Sequence, residues 1–593
     1  MAIEYKYPRV TISTLAKTHS VRMPERADTT VLFQPIYAKK GPVDKIVKLF
    51  TVDELITTYG EPDFATQGQS ILNAINWLKN GGTVYAIRLT QPGVTTAVAK
   101  KSDDVISTIT AKYPGSFYNE IELKFSWTYK AATTPQQDGK AYSFILKVGD
   151  YETFKAASLA ELIIRVNDES DYVTIDPDFV NCDKLTISTQ SFECTLSGAV
   201  DKHETTKVSA ITGSNSGYKI TIFDGYDINI TRTANGYSVS GMSSTTIKDL
   251  FRTIKNKIPN GDHSVGNWLM WLDSVVSNSH SLEDIFEGFN KDFTNDELVR
   301  YLFGVLSSNK TSISTLGQIE TILGNKLETP IDVILDAGYS EDTKRIISLY
   351  TKNVDQTLEL ARKDIVCIFD EYVNEYTTKY TGKRPTLCDN SCIDKCDNRA
   401  LYTQYFLVDD DYAKNIWVTP TYFLAKLIPH NDRVYGVQWP TAGLTRGVLL
   451  DVKDINENPT PNIKNANFID RINYVERDAN GYKFMSQRTY DGSDETEYTA
   501  LSFLNNSRSL AKMVKELEKV GREYLFEFND ATTLANMRNA LNRYMGEWVS
   551  NRTLNFAEVD VAASEYSDEA VDVTLNIRFT GTIEVISVDI IIE

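Results

Sequence analysis

The last stretch of the chain, Val571 to Glu593, constrains the fold more than any other. Val571, Val573, Leu575, Ile577 and Phe579 alternate with Asp572, Thr574, Asn576 and Arg578, the period-two pattern of a half-buried strand. Gly581 interrupts it, and Ile583 to Ile592 resumes as a second strand through Val585, Val588 and Ile590. Its apolar phase slips by one residue between Val585 and Ile586, as at a bulge. The pattern predicts a terminal β-hairpin. A β-branched hairpin at a chain end leaves an unpaired edge, which is a template for another chain. Two readings follow: the hairpin closes its own domain, or its strands pair between copies.

A chain of 593 residues is too long for one core, and about four domains are expected. The net charge of -18 argues against a nucleic-acid binder, which carries a basic surface. Like-charged copies repel until specific contacts win. Met1-Ala2-Ile3-Glu4-Tyr5 opens no apolar signal segment, and no run approaches the roughly 20 apolar residues of a membrane helix. A soluble chain made in a cytoplasm, without membrane insertion, is expected. Six cysteines are too few for a disulfide scaffold. Cys388, Cys392 and Cys396 would share one helix face. A structural zinc wants four ligands, however, and no fourth is evident nearby, so no metal or other cofactor is expected.

Residues 1–23 read as an extended arm: Tyr7, Arg9, Thr11 and Ser13 alternate with Pro8, Val10, Ile12 and Thr14. The arm is too short for a core of its own, so it either frays or pairs with something else. A first α/β unit follows. Thr30 to Tyr37 reads as a strand, Lys40-Gly41-Pro42 as a turn, and Thr51 with Glu54 as a capping box. Ser70 to Lys79 is an amphipathic helix stopped by Asn80-Gly81-Gly82, and Val84 to Leu89 is a strand. From Pro92 the chain turns Ser-, Thr-, Gly- and Tyr-rich, with short alternating runs that predict an antiparallel β region to about 244. Residues 245–328 look helical, with Trp268, Leu269, Trp271 and Leu272 as core. The α/β pattern returns with strands at Ile331–Leu335 and Asp364–Asp370 around a helix from Glu341 to Thr351, a spacing that implies a parallel crossover. The Asp336-Ala337-Gly338 segment between them reads as a plain turn, since no glycine-rich phosphate loop accompanies it.

On these residues and on several further motifs, the chain resembles the contractile phage tail sheath proteins, a family that includes pyocin and type VI secretion sheaths. The motifs, all read from the sequence, are Trp417-Val418-Thr419-Pro420, Pro429-His430-Asn431-Asp432, and Gly436 to Gly443. To these are added Arg471-Ile472-Asn473 with Gly481 and Gln487-Arg488-Thr489, then Arg508 and Phe526-Glu527-Phe528-Asn529-Asp530. Thr441 and Arg471 depart from the family pattern, Arg471 standing where a glycine is usual. The resemblance covers about 24–91 and 330–593.

It implies an α/β and α+β multidomain fold. A subtilisin-like core would be formed by 24–91 with 329–500. An outer insertion would run from 92 to 328, β-rich over 92–244 and helical over 245–328. A C-terminal α+β unit, 501–593, would end in the β-hairpin. It also implies a structural role in a phage virion: a helical homo-oligomer of stacked, six-fold rings, assembled in the host bacterial cytoplasm. Its partners would be a tail tube protein and baseplate and terminator proteins, without nucleic-acid contact. Strand exchange is expected at Val10, Ile12, Val571, Val573, Leu575, Ile577, Phe579, Ile583, Val585, Val588 and Ile590. Arg538, Arg543 and Arg552 are expected to face the tube, against the plain alternative of solvated charge. The sheath of a phage-derived injection system is the alternative reading. A hydrolytic tail enzyme is disfavoured: none of the five histidines sits in a triad context, and Gly213-Ser214-Asn215-Ser216-Gly217 carries Asn where a nucleophile elbow needs Ser.

Overall fold

The computed structural model describes most of residues 30–199 and 393–583, the backbone of the strands between 208 and 244, and shorter stretches between 322 and 370. At its centre lies a seven-stranded sheet. Val47–Leu49 pairs antiparallel to Thr83–Leu89 at one edge. Every other pairing is parallel, in the order Thr83–Leu89, Val31–Tyr37, Val333–Leu335, Val366–Asp370, Arg399–Tyr402 and Ile472–Asn473. Neighbours in space thus come from either side of residues 92–328: Leu32 stands beside Val84 on one flank and Val333 on the other.

Parallel strands are covered on both faces, so each contributes apolar side chains to both. Leu32, Ile36, Val84, Val333, Val366 and Ile368 point to one layer, where the helices Ser70–Lys79 and Pro420–Val434 pack. Phe33, Tyr37, Ile87, Ile334, Cys367 and Phe369 point to the other, against Leu323, Tyr339 and Ile347. Burying each such side chain contributes roughly 1.5–3 kcal/mol.

The helix ends follow from local chemistry. Thr51 and Glu54 form the capping box that starts Val52–Tyr59. At the stop of Ser70–Lys79, Gly81 takes φ +89. Gly82 is required for a different reason: a Cβ there would overlap the indole of Trp77, whose Nε1 donates to the Thr30 carbonyl at 3.0 Å.

Residues 94–199 form an antiparallel sheet of seven strands. Leu123, Phe125 and Trp127 of Glu122–Tyr129 are buried, alternating with exposed neighbours. A helix, Leu159–Glu169, covers it with Leu162, Ile163 and Val166. The β-rich expectation leaves this helix out, yet Ser158 as N-cap and apolar residues at 159, 162, 163 and 166 spell it in the sequence. The backbone over 208–244 is a five-stranded antiparallel meander. In it Ser214 pairs with Gly217, so the Gly213–Gly217 segment is a hairpin turn and not a strand-to-helix elbow. Trp268, Leu269, Trp271 and Leu272 lie outside the described residues.

The insertion is fastened to the core away from the point where the chain leaves it. Buried Arg88, in the edge strand, donates to the carbonyls of Ala38, Lys39 and Gly41 on the core side and to that of Pro114 on the other. Tyr118 Oη accepts the Gly41 N–H at 3.1 Å. Lys40 lies over the rings of Phe117 and Tyr172, and its desolvation there pushes its pKa down.

Candidate assembly surfaces

The C-terminal unit is built on two long helices, Leu504–Arg522 and Ala531–Ser550, followed by the strands Leu554–Ala563 and Val571–Phe579. Met513, Leu517, Leu541, Met545 and Trp548 pack with Leu554, Val559 and Val561 into a core separate from that of the sheet. Asp530 starts the second helix by accepting the Thr533 N–H at 2.8 Å, and that bond holds its carboxyl below the usual range.

The strand Val571–Phe579 forms as its alternation requires. Its partner differs from the sequence reading. It pairs antiparallel with Leu554–Ala563, in the register Val561↔Val573, Val559↔Leu575 and Ala557↔Ile577, with an irregularity between Leu554 and Phe556. The expected partner begins at Ile583, which is 84% exposed and not in a strand, and residues 584–593 lie outside the described residues, together with Val585, Val588, Ile590 and the proposed bulge. The upstream strand was passed over because Leu554 to Ala563 lacks strong β-branching at its ends. Among the described residues this sheet has only these two strands, so each keeps an outer edge. Val571, Leu575 and Ile577 are half-buried, Phe579 is buried, and Val573 is exposed. Val10 and Ile12 also lie outside the described residues.

Of the arginines singled out, Arg538 is engaged within its own unit, with Nη2 3.1 Å from Asp560 Oδ1 and donating to the Val561 carbonyl. Arg543 and Arg552 are exposed, and Arg552 sits at φ +71 after the second helix.

The unit is joined to the core by charge. Arg508 pairs with Asp432 of the core helix, both largely buried, and Asp432 also accepts from Thr30 Oγ1 at 2.6 Å. Lys515 Nζ lies 2.5 Å from Asp332 Oδ1, while Asp332 Oδ2 accepts the Val31 N–H at 2.8 Å. The first described residues of the chain are therefore tied to the C-terminal helix. At the other end, Gln487 Nε2 donates to Thr582 Oγ1 at 3.3 Å.

Asn473, buried at the sheet's last strand, connects the two motif strands. Its Nδ2 donates to the Leu401 and Arg488 carbonyls, and its Oδ1 accepts from Arg488 N and Ser486 Oγ. The Arg488 guanidinium lies between the rings of Phe468 and Phe503. Arg471 occupies φ +60, a left-handed conformation that costs a non-glycine residue about 1–2 kcal/mol.

Catalytic chemistry would be sought at the carboxyl ends of the parallel strands. There Asp336 pairs with Lys344 at 2.5 Å and accepts the N–H groups of Ala337 and Tyr339. Thr419 and Thr421 donate to Asp370 at 2.5 and 2.6 Å. Burial, with Asp336 beside it, pushes Asp370 up to about 8. These groups are buried and satisfy one another, which is the work of a structural network. His430 is exposed, and the other four histidines lie outside the described residues. Asp409, Asp410 and Asp411 separate in role: the first pairs with Lys453, the second accepts from Tyr422, and the third pairs with Lys79. Cys396 is buried, and Cys388 and Cys392 are outside the described residues. Among the described residues no group of acidic, histidine and cysteine side chains is placed to hold a metal, and no helix is long and apolar enough to cross a membrane.

No protein-family model matches the sequence, and no curated protein is similar to it at a significant level. Solved structures do match. The crystal structure of the sheath tail protein Lin1278 from Listeria innocua is similar at a TM-score of 0.51 and 12% identity, covering 95% of this chain and 94% of that one. The sheath tail protein DSY3957 from Desulfitobacterium hafniense follows at 0.45 and 11%, covering 96% and 100%. The helical sheath of the anti-feeding prophage in its contracted state follows at 0.44 and 11%, covering 99% of each chain. The first of these, spanning nearly both chains, shows that this chain has the fold of a sheath tail protein.

Proposed function

We propose that the chain is a structural subunit of a contractile tail sheath, with no catalytic step of its own. Copies polymerise helically as stacked six-fold rings around a tube, and contraction drives that tube through a cell envelope. The observation that carries the reading is the Leu554–Ala563 and Val571–Phe579 hairpin. A two-stranded sheet is marginal alone in water, and further strands are needed for stability. The arm, with Val10 and Ile12, and the last residues, with Ile583, Val585, Val588 and Ile590, would supply those strands from neighbouring copies. Backbone hydrogen bonds across chains would then keep the polymer connected while rigid units slide and rotate.

The core of 24–91 with 329–500 would be the rigid body, and 92–328 would project outward. Arg543 and Arg552 would face the tube, with Arg538 reaching it only on leaving Asp560. Baseplate and terminator proteins would bound the polymer at its two ends. The mechanics are the same whether the tube delivers a phage genome or an injected effector. Electron microscopy of the purified full-length protein, alone and with tubes of its cognate tube protein, tests the reading. Hollow helical tubes of uniform diameter are expected. A chain that stays monomeric at all concentrations and on tubes overturns it.

A further inference from the structure

Between the two C-terminal helices the chain exposes two aromatic rings. Phe526 is 88% exposed and Phe528 84%, and Phe526 is held at φ +69, where an aromatic residue does not sit without cost. The turn is fixed from below, since Asn529 Nδ2 donates to the Asp568 carbonyl at 2.7 Å. Acidic residues surround the rings: Glu523, Glu527 and Asp530 in the turn, and Asp568 and Glu569 in the loop that holds it. Two fixed aromatic rings in an acidic rim constitute a plug for an apolar socket with a basic rim.

The same chain carries such a socket. At the end of the core helix, Arg433 and Val434 are exposed and Tyr435 is 37% exposed. The Arg446 guanidinium lies over the rings of Trp439 and Tyr435. Leu444 and Leu450 are each 70% exposed. Plug and socket cannot meet within one copy. Asn505, at the start of Leu504–Arg522, donates to the Gln438 carbonyl beside the socket, while the plug follows the other end of that helix. Nineteen helical residues span about 28 Å, so the helix is a rigid spacer between the two. A patch that fits a different patch on the next copy makes a head-to-tail contact, and contacts of that kind generate rings or open helices.

We propose that Phe526 and Phe528 of one copy dock on the surface formed by Arg433, Val434, Tyr435, Leu444, Arg446 and Leu450 of a second copy. The inference deepens the sheath reading and rests on it for its setting: it supplies a side-chain contact in addition to the strand pairing. Opposite charges on the two rims set orientation and suppress plug-to-plug encounters. All groups invoked are on the surface, so their replacement leaves both cores intact.

The test uses full-length protein with Phe528 replaced by photoreactive benzoylphenylalanine, mixed as isotopically light and heavy chains. Crosslinks between light and heavy chains mapping to residues 433–450 are expected. Crosslinks only within one chain, to residues 1–29 for instance, or between chains but elsewhere, overturn the proposal. In unlabelled protein, Glu527→Arg and Arg433→Glu should each raise the concentration needed for assembly by about tenfold or more, and the two together in one chain should restore it. Failure of the pair to restore assembly counts against the contact. The two readings separate cleanly. Tubes whose crosslinks fall elsewhere keep the sheath and remove the socket, whereas crosslinked pairs at 433–450 without any tube keep the socket and remove the sheath.

Discussion

Arg508 and Asp432, 76 residues apart in the sequence, form a largely buried ion pair that fastens the C-terminal helix to the core helix. Removing one member leaves the other charge buried without compensation, which costs about 3–5 kcal/mol in such settings. Asp432→Ala is therefore expected to lower stability more than Asp432→Ala combined with Arg508→Leu, because the double change removes both charges. Chemical denaturation of the single and double variants measures the difference.

Gly82→Ala tests the packing at the start of the sheet. The added methyl group displaces the Trp77 indole and breaks its bond to the Thr30 carbonyl. Overpacking of this kind costs about 1–3 kcal/mol. The expected outcome is a lower melting temperature and a red-shifted contribution from Trp77 in emission spectra. Gly81→Ala probes instead the left-handed φ of +89, and should leave the spectrum closer to that of the parent.

The strand-end network gives a pH dependence of definite sign. Unfolded, Asp370 releases its proton near 3.8; folded, near 8. Asp336, Lys344 and Tyr339 face it in the same buried cluster. The folded chain holds more protons between these values, so this group's contribution is fully present below pH 3.8 and is lost as pH rises through about 8. Melting temperature should fall from mildly acidic to mildly alkaline pH on this account, and Asp370→Asn should flatten the slope. A slope unchanged in Asp370→Asn assigns the dependence to other groups.

Deleting residues 1–20 should leave a folded, soluble chain that cannot build a contractile sheath. The described core begins at Thr30, and its anchors to Asp432 and Asp332 come from Thr30 and Val31, beyond the deletion. Sedimentation and electron microscopy decide the matter. Normal tubes that contract without fragmenting would reduce the hairpin to local structure.

The α/β layer was legible because its strands are apolar on both faces and its turns carry glycine or a capping box. Thr51, Gly81 and the run Ser70–Lys79 each stand in the structure where local rules put them. The motif pair at 471–473 and 487–489 was visible only as spacing. Its cause, one Asn473 amide bonding the backbone of Arg488, is tertiary and leaves no local pattern. Arg471 shows the opposite case: a residue at φ +60 in a place the family pattern gives to glycine. Local propensity is overridden there by packing beside Asp491, 3.7 Å away. The partner of Val571–Phe579 escaped the sequence because pairing depends on register across a loop, and two downstream and upstream candidates had similar alternation. The surfaces at Phe526 and Arg433 were legible as residues but not as a pair, since only the helix between them sets their separation.

The Arg88 cluster bears on how such a chain can be recombined. The insertion leaves the core near residue 92, yet its attachment lies some way along, where Pro114 and Tyr118 meet Arg88 and Gly41. A graft cut at the visible boundary would carry away one half of that joint and leave the other without its complement. The exchangeable module is therefore not the inserted segment but the segment together with Arg88 and the Ala38–Gly41 loop, and chimaeras that respect this seam should fold where those cut at 92 do not.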